Sequence, residues 1–330
     1  MKPRSHAELA EHAEHVSALR LLRVLRALVV LVFFASPAVA QQTHLLVITG
    51  VPGDEDHAKK FDKWAATFID AAKKKESVPD ANITYLSDRK ATREGIDAAI
   101  GALAGRAKPS DTVIVLLIGH GSFDGRQAAF NIMGPDLTAP DWAKQLARLT
   151  AHVAFINTSS SSGAFLQVVS APGRVVITAT KTGGERLDTS FPEFFVEAFA
   201  DDAADRDRNG HVSVLEAFEY AKTKVTQAYQ QKGTLLTEHA TIDDGGEGRA
   251  ATMYLGIGRA DAALNADMSD PAVRELVAQR DAIERDIAAL KLIKATMDEA
   301  KYDAQMEKLL TDLALKTKAL REKASKKEER

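Results

Sequence analysis

Two hydrophobic patterns alternate along the first two thirds of the chain. Short unbroken apolar runs mark strands buried on both faces, and apolar positions recurring every three or four residues mark helices packed on one side. The run Thr112-Val113-Ile114-Val115-Leu116-Leu117-Ile118 is the clearest of the first kind, and it stops at Gly119-His120-Gly121-Ser122. Residues 43–49, closed by Gly50-Val51-Pro52-Gly53, read as an earlier strand, and Asn82 to Leu86 as another. Val153-Ala154-Phe155-Ile156 ends in Asn157-Thr158-Ser159-Ser160-Ser161-Ser162-Gly163, and Arg174 to Thr180 follows Pro172-Gly173. Between them, helical spacing covers Asp56 to Lys74, with Phe61, Trp64, Ala65, Phe68, Ile69 and Ala72 on one face. Further helices are expected over Thr92 to Ala104, ended by Gly105, and over Ala139 to Leu149. Strand and helix in alternation predict an α/β fold with a mostly parallel sheet.

The remaining third reads differently. Helical patterns over Phe191 to Ala203 and Val214 to Gln230 flank a polar loop. Residues 233–256 read as a surface loop, with the acidic, glycine-rich turn Asp243-Asp244-Gly245-Gly246-Glu247-Gly248, and then a last strand around Ala251 to Leu255. From Asp270-Pro271 onward, one stripe carries Val273, Leu276, Ile283, Ile287, Leu290 and Ile293. A second carries Met306, Leu309, Leu310, Leu313 and Leu320, with a break at Met297-Asp298. This predicts a C-terminal helical hairpin over 271–330, joined by a linker at 259–270, whose default roles are packing on the domain or self-association as a coiled coil.

Composition narrows the function classes. The 330 residues include no cysteine, which excludes a disulfide framework, a cysteine metal cluster and a thiol nucleophile. A formal net charge of -3 offers no basic footprint for nucleic acid. Arg20, Arg23 and Arg26 precede the apolar run Ala27 to Phe34, and Ala38-Val39-Ala40 supplies small residues where a signal peptidase reads. Residues 1–40 are therefore expected to be a signal peptide, with the mature domain over 41–258. The apolar core is well short of the roughly 20 residues that span a bilayer. The expected destination is the periplasm or the exterior, with no stable membrane span after cleavage.

Two stretches carry candidate chemistry. If the strands ending at His120 and Asn157 are parallel neighbours, an imidazole and a cluster of hydroxyls share the carboxyl rim of the sheet, where open α/β folds place their ligands. The second stretch is Asp205-Arg206-Asp207-Arg208-Asn209-Gly210-His211-Val212-Ser213-Val214-Leu215-Glu216, which matches the twelve-residue EF-hand calcium loop. Asp205, Asp207 and Asn209 offer side-chain oxygens, Gly210 allows the sharp turn, and His211 gives its carbonyl. Val212 is the apolar residue that points to the core. Ser213 acts directly or through water, and Glu216 closes the shell with two oxygens. With a single loop of this kind in the sequence, a structural Ca2+ is expected.

A strand ending in His-Gly, followed by a strand ending in a small-residue cluster with Ser-Gly, resembles the caspase and legumain superfamily of peptidases. The likeness covers roughly residues 43–256 in order of elements, and its specific part is the two strand ends. It implies a three-layer α/β sandwich. It also implies His120 as general base, the Gly121 amide as oxyanion donor, and Ser160 where the family carries its nucleophilic cysteine. Residues 130–137, Phe-Asn-Ile-Met-Gly-Pro-Asp-Leu, and the calcium loop look like those of exported bacterial relatives of legumain.

The departure from the family's pattern sets the functional expectation. A thiol beside a histidine ionises near neutral pH, whereas a serine needs an aligned base and a group that orients it. Asn157 and Asp124 lie near enough in sequence to be considered as that orienter, but neither spacing compels it. The expectation is therefore a calcium-binding scaffold without cysteine-peptidase activity, with a protein or peptide as partner. The alternative is a serine-dependent peptidase or acyl hydrolase using Ser160 and His120. A serine hydrolase of the α/β-hydrolase kind, with His239 as late base, would need a Gly-x-Ser-x-Gly elbow, and the serine cluster lacks the first glycine. A purely structural role for both strand ends is the remaining alternative.

Overall fold

The computed structural model describes residues 42–246, 248–256, 270–292 and 297–328. The expected signal peptide, Gln41, Ile293 and all but the last residue of the expected linker lie outside the described residues.

The first strand, β1 (Thr43–Thr49), leads into helix α1 (Glu55–Lys74). Asp54 caps α1 by accepting the His57 amide at 2.8 Å, and acidic residues in the first turn and lysines in the last complement the helix dipole. Strand β2 (Ile83–Leu86) and helix α2 (Arg93–Arg106) follow, with Thr92 capping α2. Here the helix runs through Gly105 to Arg106, past the expected stop at Ala104. A single glycine costs a helix interior only about 1 kcal/mol, and the Ala107 amide still closes the last turn on the Leu103 carbonyl at 2.8 Å.

Next come β3 (Thr112–Ile118) and a small hairpin pair, β4 (Gly121–Phe123) and β5 (Ala128–Phe130), then β6 (Leu137–Thr138) and α3 (Ala139–Leu146). Thr138 and Asp141 form a capping box at the start of α3. Strand β7 (His152–Asn157), the short helix α4 (Leu166–Val169) and β8 (Arg174–Thr178) complete the parallel part. Helices α5 (Phe191–Ala198) and α6 (Val214–Lys232) precede β9 (Thr241–Asp243). The C-terminal helices are α7 (Pro271–Leu292) and α8 (Glu299–Glu328).

The main sheet has the order β2-β1-β3-β7-β8-β9. Its first five strands are parallel and β9 closes the edge antiparallel to β8. Strands β4, β5 and β6 form a separate antiparallel sheet beside the end of β3. Both faces of the main sheet are covered, so strand side chains enter two cores in alternation. From β3, Ile114, Leu116 and Ile118 join Phe61, Phe68, Phe195 and Phe218 on the α1, α5, α6 side. Val113, Val115 and Leu117 join Ile100, Trp142 and Phe165 on the α2, α3, α4 side. This is an α/β architecture in three layers, as expected.

Other boundaries differ from the sequence reading too. Helix α5 ends at Ala198, and the next ordered piece before the polar loop is a short 3-10 turn, Asp202–Ala204. The expected last strand over 251–255 is instead a 3-10 turn, Arg249–Thr252, with one bridge from Tyr254 to Ser213. The edge strand is β9, inside the stretch read as surface loop. Its three residues, Thr-Ile-Asp, are too few to show an alternation in sequence. In the hairpin, Val273, Ile287, Leu290, Leu313 and Leu320 are buried as the two stripes require, whereas Leu310 is exposed.

Candidate functional site

Backbone geometry explains why the two strand ends meet. β3 and β7 are parallel neighbours with Leu117 opposite Asn157, so the chain leaves both strands at the same rim. Thr158 anchors the second exit by donating its amide and hydroxyl to the Leu117 carbonyl, at 3.1 and 2.7 Å. Gly121 and Ser160 come together there. The Gly121 amide donates to Ser160 Oγ at 3.3 Å, and Ser160 Oγ donates to the Gly121 carbonyl at 3.0 Å. The hydroxyl and the amide that the resemblance assigned to attack and to oxyanion binding thus satisfy one another.

His120 is engaged elsewhere. Its Nε2 lies 3.0 Å from the Pro52 carbonyl and its Nδ1 lies 3.3 Å from Asp188 Oδ1. Among the described residues, no hydrogen bond joins His120 to a serine of the cluster. Ser159 is buried and gives its hydroxyl to Asn157 Oδ1 at 2.7 Å. Asn157 therefore orients a serine and not the histidine. Asp124, the other orienter considered, accepts the Arg126 and Gln127 amides and closes the β4–β5 turn. The carboxylate beside His120 is Asp188, from the loop between β8 and α5.

Two residues absent from the sequence reading complete this corner. His57, in the first turn of α1, places Nδ1 2.7 Å from Asp54 Oδ2 and Nε2 3.0 Å from Asp188 Oδ2. Its ring centre is 4.8 Å from that of His120, and Phe61 packs against both rings. The hydrogen bond to Asp54 is the main cause holding the His57 imidazolium above the usual histidine range; partial burial opposes it and Asp188 adds to it. The His57 amide and then its ring in turn hold the Asp54 carboxyl low. No sequence motif links His57 to Asp188, which are 131 positions apart.

The loop at 205–216 joins α5 to α6, and the carboxylates of Asp205, Asp207 and Glu216 converge within 4.8 Å of one another. Gly210, at φ 93°, makes the turn that an L side chain resists. Asp205 accepts the Asn209 and Gly210 amides, and Asn209 Oδ1 accepts the His211 amide. Val212 is buried in the core, as the motif requires. Ser213 and Glu216 form a capping box that starts α6. Burial first, then Asp207, pushes the Asp205 carboxyl up, while the amides pull it down. Three hard oxygen donors from side chains in one tight loop fit a calcium-sized cation.

His239 pairs with Glu185, whose carbonyl accepts the Ser161 amide at 2.8 Å. Its ring contacts Glu185 at 3.0 Å, and it lines a cleft of about 450 Å3 between α5, α6 and the β8–β9 edge. None of His120, Gly121 and Ser160 lines that cleft.

The site thus sits at the carboxyl rim of a mostly parallel α/β sheet with helices on both faces. No family model matches the chain, and no curated protein matches it by sequence. Among solved structures, it is similar to a structural-genomics target from Geobacter sulfurreducens, with 12% identity over 61% of this chain and 92% of that one and a TM-score of 0.43. It is also similar to the Drosophila initiator caspase Dronc, with 14% identity over 62% of this chain and 79% of that one and a TM-score of 0.38. For drICE the values are 11%, 63%, 89% and 0.36.

Proposed function

We propose that this chain is an exported, calcium-stabilised scaffold on a caspase/legumain-like frame, binding a protein or peptide, whose serine cluster carries out no acyl transfer. The observation that carries the reading is the mutual pairing of Ser160 and Gly121. A serine nucleophile needs its proton aimed at a base, and an oxyanion donor must be open to the incoming oxygen. Here the hydroxyl proton goes to the Gly121 carbonyl, and the Gly121 amide is taken by the same hydroxyl. His120 faces Pro52 and Asp188.

The direct test is labelling of the protein with a fluorophosphonate in calcium-containing buffer, beside Ser160→Ala and His120→Ala. The expected result is background labelling in all three. Labelling of the parent protein that both variants abolish would establish the alternative, a serine-dependent hydrolase with Ser160 as nucleophile and His120 as base.

A further inference from the structure

The scaffold reading of the serine cluster leaves the corner formed by His57, His120 and Asp188 without a role. The corner's hydrogen bonds fix which ring nitrogen of each histidine faces inward. The Pro52 carbonyl can only accept, so His120 presents Nε2–H to it and leaves Nδ1 toward Asp188. The Asp54 carboxylate engages Nδ1–H of His57 and leaves Nε2 toward the other Asp188 oxygen. Each inward nitrogen therefore meets a carboxylate oxygen, at 3.0 and 3.3 Å. A cation seated between the two rings and the carboxylate would bind all three groups at once.

We propose that His57 Nε2, His120 Nδ1 and the Asp188 carboxylate bind a divalent transition metal of the zinc class. All three ligand atoms lie within 4.8 Å of one another. Bonds of about 2.0–2.1 Å in a tetrahedron put neighbouring ligand atoms about 3.3 Å apart; here His57 Nε2 and His120 Nδ1 face different oxygens of Asp188, at 3.0 and 3.3 Å, so small side-chain rotations would gather the three groups on one ion. The outer partners also match a metal centre. Ligating histidines give their second N–H to a carboxylate or a backbone carbonyl, as His57 does to Asp54 and His120 to Pro52. Phe61 supplies an apolar wall to both rings. The side chains of His57, His120 and Asp188 are 22%, 28% and 63% exposed, so the site opens to solvent and keeps a fourth position for water or an oxygen or nitrogen donor from a partner. In this role His120 is a ligand and not a base.

The test titrates the full chain, freed of metal and returned to excess Ca2+, with Zn2+ by calorimetry and with Co2+ by its visible absorption. One site per chain with tetrahedral cobalt absorption is expected. His57→Gln and Asp188→Asn should each weaken binding by about 100-fold or more. Asp54→Asn, which keeps a good helix cap, should weaken it about tenfold. Glu216→Gln and His239→Gln should leave it unchanged, which separates this site from the calcium loop and from the His239–Glu185 pair. Absence of binding, or binding that survives both His57→Gln and Asp188→Asn, would overturn the proposal. Because it is read as affinity, this result stands apart from the outcome of fluorophosphonate labelling.

Discussion

A methyl group on Gly121 would sit 2.2 Å from the Ser160 carbonyl oxygen and 2.6 Å from Ser159 Oγ. The first neighbour is backbone, in the turn that follows β7, and cannot swing away as a side chain could. Gly121→Ala is therefore expected to lower stability by about 1–3 kcal/mol through overpacking, measured as a shift in the urea midpoint with an unchanged slope. An unchanged midpoint would mean that the two strand ends are looser than this close approach requires. At this scale the sequence told part of the story. His120, Gly121 and Ser160 were legible because each follows a buried apolar run that ends abruptly. Their mutual geometry was not, since which hydroxyl meets which amide depends on the path of the chain beyond the strands. Nor was the partnership of His57 with Asp188, which joins the first turn of a surface helix to a loop far along the sequence.

At the scale of elements, legibility followed the strength of the hydrophobic pattern. β1, β3, β7 and β8 are buried runs that read plainly, and α1 shows its core face through Phe61, Trp64 and Phe68. β9 and the β4–β6 sheet are short pieces fixed by their partners rather than by periodicity. The start of α5 at Phe191 was legible in the pattern, but what holds it was not, because Ser190 gives α5 no side-chain cap. Instead Glu238, buried and 48 positions away from Ser190, accepts the Ser190 and Phe191 amides at 2.8–3.0 Å. Burial pushes its carboxyl up, and the amide bonds only partly offset that. The folded protein thus holds this proton more tightly than the unfolded chain, so the stability this group contributes falls as pH rises from the ordinary glutamate value through the folded one. Glu238→Gln should remove that descending part of the stability–pH curve. Parallel curves for the two proteins, from thermal melts over the mildly acidic range, would refute the assignment.

Three distant parts of the domain meet at the 205–216 loop: α6, the chain just past α1 and residues 253–254. His211 is buried with its ring 3.4 Å from Glu76, just past the end of α1. The Val214 amide donates to the Met253 carbonyl, and Asn209 donates to the Tyr254 hydroxyl. α6 then carries Ala217, Phe218, Ala221 and Val225 into the core beneath the sheet. A cation gathering Asp205, Asp207, Asn209 and Glu216 would hold together α6, the chain beyond α1 and the 253–254 segment. Such a ligand stabilises by mass action, about 2.7 kcal/mol at a calcium concentration a hundredfold above its dissociation constant. For a domain of this size that is a rise in Tm of about 5–10 °C. Glu216→Gln is the informative variant because glutamine at the third helical position keeps the capping box while losing the charge and one of the two metal-binding oxygens. Its Tm without calcium should stay close to that of the parent protein, and the calcium-dependent rise should vanish. A rise that persists in Glu216→Gln would place the calcium somewhere other than this loop. A collapse of the calcium-free Tm would show that the carboxylate serves the helix start more than any cation.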